Sequence, residues 1–364
     1  MSKAAAEAYQ RQKDRERERA EQLGTAGERH AHYGAGLRAA RPGDIPLAGW
    51  KAVLVRTYQT VGDKDLGLMC AGVAFYGFLS LFPAVAAIVL LYGLFASPAS
   101  LQAQLAALDG TVPEAVMAIV RDRLVQLVEQ PASGLGLGLV ISLAIALWSG
   151  SRGTNALILA IGEAYHQEDN RSFLRSAVLS LVMTLGAVLF VGVALGAIAV
   201  IPIVFAALPL PPGLERLVEW VRWPVLALAV VLAIGALYRL APDRRDARWR
   251  WLSPGALLAA VLWLALSGLF SLYVETFADY SATFGSLAGA AVMMLWIYYS
   301  VVVFVVGAAL NGQLELQTLR DTTVGPPRPP GERGAFAADH TAADVAQGPA
   351  AERPAHPRHV GDAS

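Results

Sequence analysis

Between residues 66 and 313 the chain alternates long apolar runs with short polar breaks, and it turns polar on both sides of that interval. A helix needs about 20 apolar residues to cross a bilayer. Six segments meet that test by length and apolarity: Leu66–Phe95, Leu135–Ser151, Ala177–Ala207, Val221–Leu240, Leu252–Val274 and Ser286–Gln313. The third is longer than a bilayer needs, so it is expected to tilt or protrude, with Pro202 marking its emerging end. Between the first two runs, "TVPEAVMAIVRDRLVQLVEQ" carries Pro113 and Glu114 where a helix starts. Val116, Val120, Leu124 and Leu127 follow at helical spacing, opposite Arg121, Asp122 and Gln126. The pattern predicts an all-α, polytopic integral membrane protein: six transmembrane helices, with an amphipathic helical segment lying on the outer surface.

The flanks divide the chain into a polar N-terminal arm over 1–49, a six-span membrane domain over 50–316 and a C-terminal tail over 317–364 that is expected to be disordered, with arm and tail in the cytoplasm. "RQKDRERERAEQ" mixes both signs, as a solvated arm does. From Gly325 onward, Pro, Gly and Ala dominate and large apolar groups are scarce, which predicts disorder.

Composition agrees with the membrane reading. Of the 364 residues, 55% are hydrophobic and only 16% charged, where soluble domains carry about 25% charged residues. The formal net charge is zero, so no global basic field gathers nucleic acid. Cys70 is the only cysteine, which excludes an internal disulfide and a cysteine-based zinc site. The N-terminus has no early apolar core, so the first span is expected to serve as an uncleaved anchor. Arginine placement predicts orientation. Lys3, Arg11, Arg56 and Lys64 precede the first span, Arg171 and Arg175 follow the second, and Arg244, Arg245, Arg248 and Arg250 follow the fourth. The alternate loops are poor in such residues, so both termini are expected in the cytoplasm.

Catalytic chemistry finds little footing. Of His30, His32, His166, His340, His356 and His359, all but His166 lie in the polar flanks, and neither an HExxH helix nor a GxSxG elbow occurs. No metal or cofactor site is read from the chain. The span interiors hold small and neutral polar groups instead. Gly134 and Gly138, Gly192 and Gly196, and Gly285 and Gly289 form GxxxG pairs, expected at helix contacts. Pro83 should bend the first span, with Tyr76 and Ser80 beside the break as candidate cavity residues. The stretch "LWSGSRGTNA" sets Ser149, Ser151, Arg152 and Asn155 at the end of the second predicted span. It lacks the Lys and Ser/Thr pair of a phosphate loop. Two readings stay open: an interfacial helix end with Arg152 meeting lipid phosphate, or a helix that runs on to Tyr165 and turns these groups into a cytoplasm-facing cavity.

"AGVAFYGFLSLFPAV", "LWSGSRGTNALILAIGEAY", "LYRLAPDRR" leading to "RWRWLSPGALLAAVLW", and "YSATFGSLAGAAVMMLWIYYS" leading to "GAALNGQLE" resemble, in this order, the YihY/BrkB family. The resemblance spans about residues 50–316. It implies a six-span protein of the bacterial cytoplasmic membrane, from a family that has carried the names virulence factor BrkB and ribonuclease BN. Tyr280, Thr283 and Ser286 of the last stretch, with Asn311 and Glu315, join the candidate polar cavity. The family tends to end its last span on Asn followed by an acid, whereas Asn311 here is followed by Gly312, Gln313 and then Glu315. An Arg152–Glu315 pair is expected to fix the mouth of a transport path or to lock two helices. The resulting expectation is a transporter or permease for a small or amphiphilic solute, with a non-transporting scaffold or envelope assembly factor as the rival and an enzyme a distant third. Expected partners are the lipid bilayer and an unidentified solute or lipid, without nucleic acid and with room for a homo-oligomer.

Overall fold

The computed structural model describes residues 35–95, 132–207, 212–276 and 286–346. A short helix, α1 (Leu47–Val61), precedes six long ones: α2 (Lys64–Phe95), α3 (Ala132–Ala164), α4 (Phe173–Ala207), α5 (Pro212–Leu240), α6 (Trp249–Thr276) and α7 (Ser286–Glu315). Two short helices follow, α8 (Phe336–Asp339) and α9 (Ala342–Ala346). Among the described residues there is no strand, only an isolated antiparallel bridge from Ala247 to Thr323. Helices α2 to α7 are the six long and apolar enough to cross a membrane. Their outward faces carry large apolar side chains, among them Leu137, Val140, Val188, Leu269 and Leu272. Lipid is the solvent that tolerates such a surface, and a helix satisfies its own backbone there. Residues 96–131, which hold most of the expected outer amphipathic helix, lie outside the described residues.

Helix α7 is the hub, packing on α1, α2, α3 and α6, while α2 lies along α3 and α4 leans on α3. By contrast, α4 makes few contacts with α5 among the described residues. The buried core gathers toward one end, where Leu66, Ile161, Tyr165, Tyr238, Leu252 and Val305 meet. Helices α6 and α7 cross closely at two glycines. A Cβ on Gly255 would strike the Gly307 carbonyl and sit 2.6 Å from the Asn311 side chain, and one on Gly307 would sit 2.6 Å from the Gly255 carbonyl oxygen. Backbones approach this closely only where side chains are absent. The GxxxG expectation fares differently. A Cβ at Gly192 or at Gly289 meets nothing within 4 Å, so neither packs on a neighbouring helix. Gly138 is half-buried on α3. The surroundings of Gly134, Gly196 and Gly285 lie outside the described residues.

Two boundaries are set by the structure. The second span, bounded at Ser151 on hydropathy, continues as helix α3 to Ala164, in line with the open reading in which the helix runs on toward Tyr165. Its polar stretch stays helical because the hydroxyls find partners within the bundle. Ser149 Oγ donates to the Ile145 carbonyl at 2.8 Å, Thr154 and Thr184 hydroxyls lie 2.8 Å apart, and Ser180 Oγ donates to Asn155 Oδ1 at 3.2 Å. Pro83 is likewise accommodated inside α2.

The second boundary is a correction and concerns the flanks. Residues 317–346 were expected to be disordered, yet they fold against the bundle. Leu319 N–H donates to the Leu37 carbonyl at 2.9 Å, Thr318 Oγ1 to that of Ala39 at 2.8 Å, and Gln317 Nε2 to that of Ala35 at 2.6 Å. Arg245 N–H reaches the Gly334 carbonyl at 2.9 Å, and Ala342 N–H that of Leu316 at 2.9 Å. Small side chains and backbone pairing replace the large apolar core whose absence suggested disorder. The same bonds tie down residues 35–39, so the end of the N-terminal arm is part of the folded unit.

Candidate functional site

The last two turns of α7 carry an unusual density of buried polar groups, beginning with Asn311 and Glu315, both at 0% exposure. Asn311 bridges α7 to the start of α6. Its Oδ1 accepts the Gly255 N–H at 2.8 Å, and its Nδ2 donates to the Leu252 carbonyl at 2.9 Å. One turn later, Glu315 takes two parallel bonds from Arg244, Nη2 to Oε1 at 2.8 Å and Nη1 to Oε2 at 3.1 Å. Thr322 Oγ1 donates to the same carboxylate at 2.6 Å. The fork-to-fork geometry is that of a strong, charge-assisted pair.

Arg244 comes from the turn between α5 and α6, and its own position is set by another arginine. Arg171 Nη1 and Nη2 donate to the carbonyls of Ala241 (2.8 Å) and Pro242 (2.9 Å), while its Nε meets Asp243 at 3.2 Å. A cation there satisfies the open carbonyls at the end of α5. Arg244 then lies over the ring of Tyr165, 4.3 Å from its centroid. Tyr165 is available because α3 ends in a Schellman turn. His166 takes φ 56°, and Gln167 N–H returns to the Gly162 carbonyl at 2.9 Å.

Electrostatics hold this cluster together as a charge-paired lock. Burial alone would lower the Arg244 pKa, but Glu315 and Tyr165 more than offset it and the net shift is upward. Burial pushes the Tyr165 phenol above its usual range, so it stays protonated. Around the lock, Arg56 Nε donates to Gln313 Oε1 at 2.8 Å and Arg56 Nη2 to Gln317 Oε1 at 2.5 Å. Four separate parts of the chain therefore meet at α7's end. Among the described residues, no group of three or more His, Cys, Asp or Glu converges to hold a metal ion.

The sequence-predicted residues fall into two sets. Asn311 and Glu315 belong to the lock. Tyr76, Ser80 and Asn155 lie where α2, α3 and α4 meet, near Gly150, Gly153 and Ser180; Ser149 and Ser151 stand on α3 and Pro83 on α2, and Ser149 is the most buried of them at 1% exposure. Ser80 Oγ donates to the Gly77 carbonyl at 2.7 Å. Tyr280 and Thr283 lie outside the described residues, and so does the side chain of Ser286. Arg152 belongs to neither set. It is exposed, with its guanidinium 5.9 Å from the centre of the Trp148 ring. The expected Arg152–Glu315 pair is therefore absent, since Glu315 is taken by Arg244. The reason is axial distance. A Cβ on Gly312 would lie 3.0 Å from the Ala164 carbonyl, so the end of α7 is level with the end of α3. Twelve residues separate Arg152 from Ala164, which is about 18 Å along a helix. Arg244 was visible in the sequence only as one of several loop arginines.

The family described as "Virulence factor BrkB" matches residues 57–331. The chain belongs to the BrkB family. The match takes in all six long helices, Arg244, Glu315 and Thr322. Among similar proteins, the ribonuclease-like protein YfkH of Bacillus subtilis is 32% identical over 252 residues, covering 67% of this chain and 88% of that protein. The UPF0761 membrane protein IL2447 of Idiomarina loihiensis is 31% identical over 185 residues, 50% of this chain and 61% of its own. The UPF0761 membrane protein NTHI0384 of Haemophilus influenzae is 30% identical over 181 residues, 49% and 63% respectively. No solved structure matches. The BrkB-family region thus extends past α7 into the segment that supplies Thr322, so the lock lies within it.

Proposed function

We propose that this BrkB-family protein is a carrier for a small or amphiphilic solute in the bacterial cytoplasmic membrane, with both chain termini on the cytoplasmic side. The observation that carries the reading is Arg152, an exposed cation near the middle of a membrane-crossing helix. A charge at that depth costs at least about 2.5–3.5 kcal/mol, and residues kept at such cost usually serve a pathway. Beside it run neutral hydroxyls and an amide, Ser80, Ser149, Thr154 and Asn155, suited to a solute that carries an anionic or polar group. The lock holds α3, α6 and α7 at one end, whereas α4 makes few contacts with α5 among the described residues, so movement is easiest between those two. Partners on this reading are the bilayer and an anionic solute or lipid. Nucleic acid is not among them, and self-association is open to crosslinking in the membrane.

The test is translocation of a fluorescent short-chain phosphatidylglycerol in vesicles, read by dithionite quenching with and without purified protein. Arg152→Gln should lower the rate at least about tenfold while leaving thermal unfolding unchanged, because the side chain is exposed. Wild-type rates equal to those of protein-free vesicles would turn the reading toward the rival, a non-transporting scaffold or assembly factor. That rival draws on the folded 317–346 segment, whose exposed Leu319 and Val324 could meet another protein. Nuclease activity is not expected, and purified protein with added zinc or manganese should leave precursor tRNA intact.

A further inference from the structure

The weak contact between α4 and α5 leaves a crevice of about 610 Å³ at the arginine-rich end of the bundle. Its lining is part polar and part apolar. Four arginines, Arg171, Arg175, Arg239 and Arg244, line it against two aspartates, Asp243 and Asp246. Three of the arginines are occupied. Arg171 pairs with Asp243, Arg239 with Asp246 at 2.8 Å, and Arg244 with Glu315. Arg175 is different: it is exposed, its side chain enters none of the described ion pairs, and it stands one turn inside the start of α4. On the same helix, Leu174, Val178 and Val182 present an apolar wall, each more than half exposed at 72%, 53% and 59%, and Leu240 joins them from α5.

We infer that this crevice binds one anionic phospholipid, its phosphate at Arg175 and the outer edge of Arg239 and its acyl chain along Leu174, Val178 and Val182. Charge complementarity selects the occupant, because the lining is net positive with one cation unspent. Dimensions agree. From Leu174 to Val182 the wall runs about 12 Å along α4, which fits within a single leaflet, half of a hydrocarbon core of about 30 Å. Basic pockets between transmembrane helices at such an end recognise anionic head groups. The site is independent of the carrier reading, since a bound structural lipid needs no transport.

The experiment is native mass spectrometry of the full-length, detergent-solubilised protein titrated with phosphatidylglycerol or phosphatidylcholine of the same chain length. Phosphatidylglycerol should be retained preferentially, and Arg175→Gln should weaken that retention about fivefold, as removal of one basic group near a lipid surface does. Val178→Trp, which fills the apolar wall without changing charge, should weaken it as well. Arg250→Gln, at another exposed arginine of the same end, should change it less than twofold. Circular dichroism melting confirms that each variant is folded before titration. Equal retention of the two lipids, or equal losses from Arg175→Gln and Arg250→Gln, would overturn the proposal. Displacement of bound phosphatidylglycerol by sn-glycerol 3-phosphate would also overturn it, assigning the crevice to a free phosphate instead.

Discussion

Glu315 has both carboxylate oxygens committed, to Arg244 and Thr322, and no exposure to water. Removing one member of such a pair leaves a buried charge alone, at about 3–5 kcal/mol. Arg244→Ala and Glu315→Ala should each lower unfolding stability by that order in detergent, and the double variant should cost less than the sum. Additive losses in a denaturant series would show that the pair is not coupled. Arg244→Lys should recover little, because an ammonium cannot make two parallel bonds or lie flat on Tyr165. A second test concerns His166, whose pKa is lowered chiefly by burial and only partly restored by Glu163. A histidine held neutral in the fold binds fewer protons there than in the unfolded chain, so its contribution is full above the unfolded value and is lost as pH falls below about 6.5. Melting temperature should therefore fall less steeply between pH 7 and 5 in His166→Asn, which also suits the positive φ; an unchanged slope would contradict this. Asn311 and Glu315 were legible because they close the last span in a stretch that resembles the family's own ending. Arg244 was not, because a loop arginine is usually solvated, and its partner lies 71 residues away.

At the scale of helices, hydropathy located all six spans but left open what a polar cluster does to one of them. "SGSRGTN" lowers hydropathy enough to suggest an exit from the bilayer. Cross-helix bonds to Thr184 and Ser180 instead keep α3 intact for another three turns. Such partners sit on a different helix and leave no mark in local periodicity. Glycines tell a parallel story, since spacing alone selected Gly192 and Gly289, which face open space, and passed over Gly255 and Gly307, which hold two backbones together. Gly255→Ala or Gly307→Ala should therefore destabilise by about 1–3 kcal/mol or more through overpacking. Gly192→Ala and Gly289→Ala should be neutral or stabilising by up to about 1 kcal/mol, as alanine is the better helix former. Equal effects on melting temperature across the four variants would mean that the α6–α7 crossing is not the tight one.

For the molecule as a whole, segments distant in sequence close a single end: residues 35–39, the α5–α6 turn, the end of α7 and the stretch through Ala346. That end holds most of the loop arginines, so the same asymmetry that predicts a cytoplasmic orientation also concentrates the polar contacts of the fold. A cysteine at Arg328 should react with impermeant reagents only in opened cells, and one at Ala278 in intact cells; Cys70, 2% exposed, adds little background. Composition suggests that residues 325–364 can be removed, yet the structure divides that stretch in two. Arg333, 5% exposed, donates to the Leu319 carbonyl at 2.9 Å and the Arg328 carbonyl at 3.0 Å. Phe336 N–H bonds to Gln167 Oε1 at 2.9 Å, and Ala337 and Ala342 cover Leu316. Ending the chain after Ala346 keeps every one of these contacts, so insertion and melting temperature should match the full-length protein. Ending it after Val324 uncovers Leu316, whose burial is worth about 1.5–3 kcal/mol, and strips partners from the α3–α4 turn. The shorter chain should still enter the membrane, because all six spans remain, but it should melt several degrees lower in fluorescence-detected size-exclusion assays. Equal melting of the two truncations would mean that residues 325–346 contribute nothing to the fold.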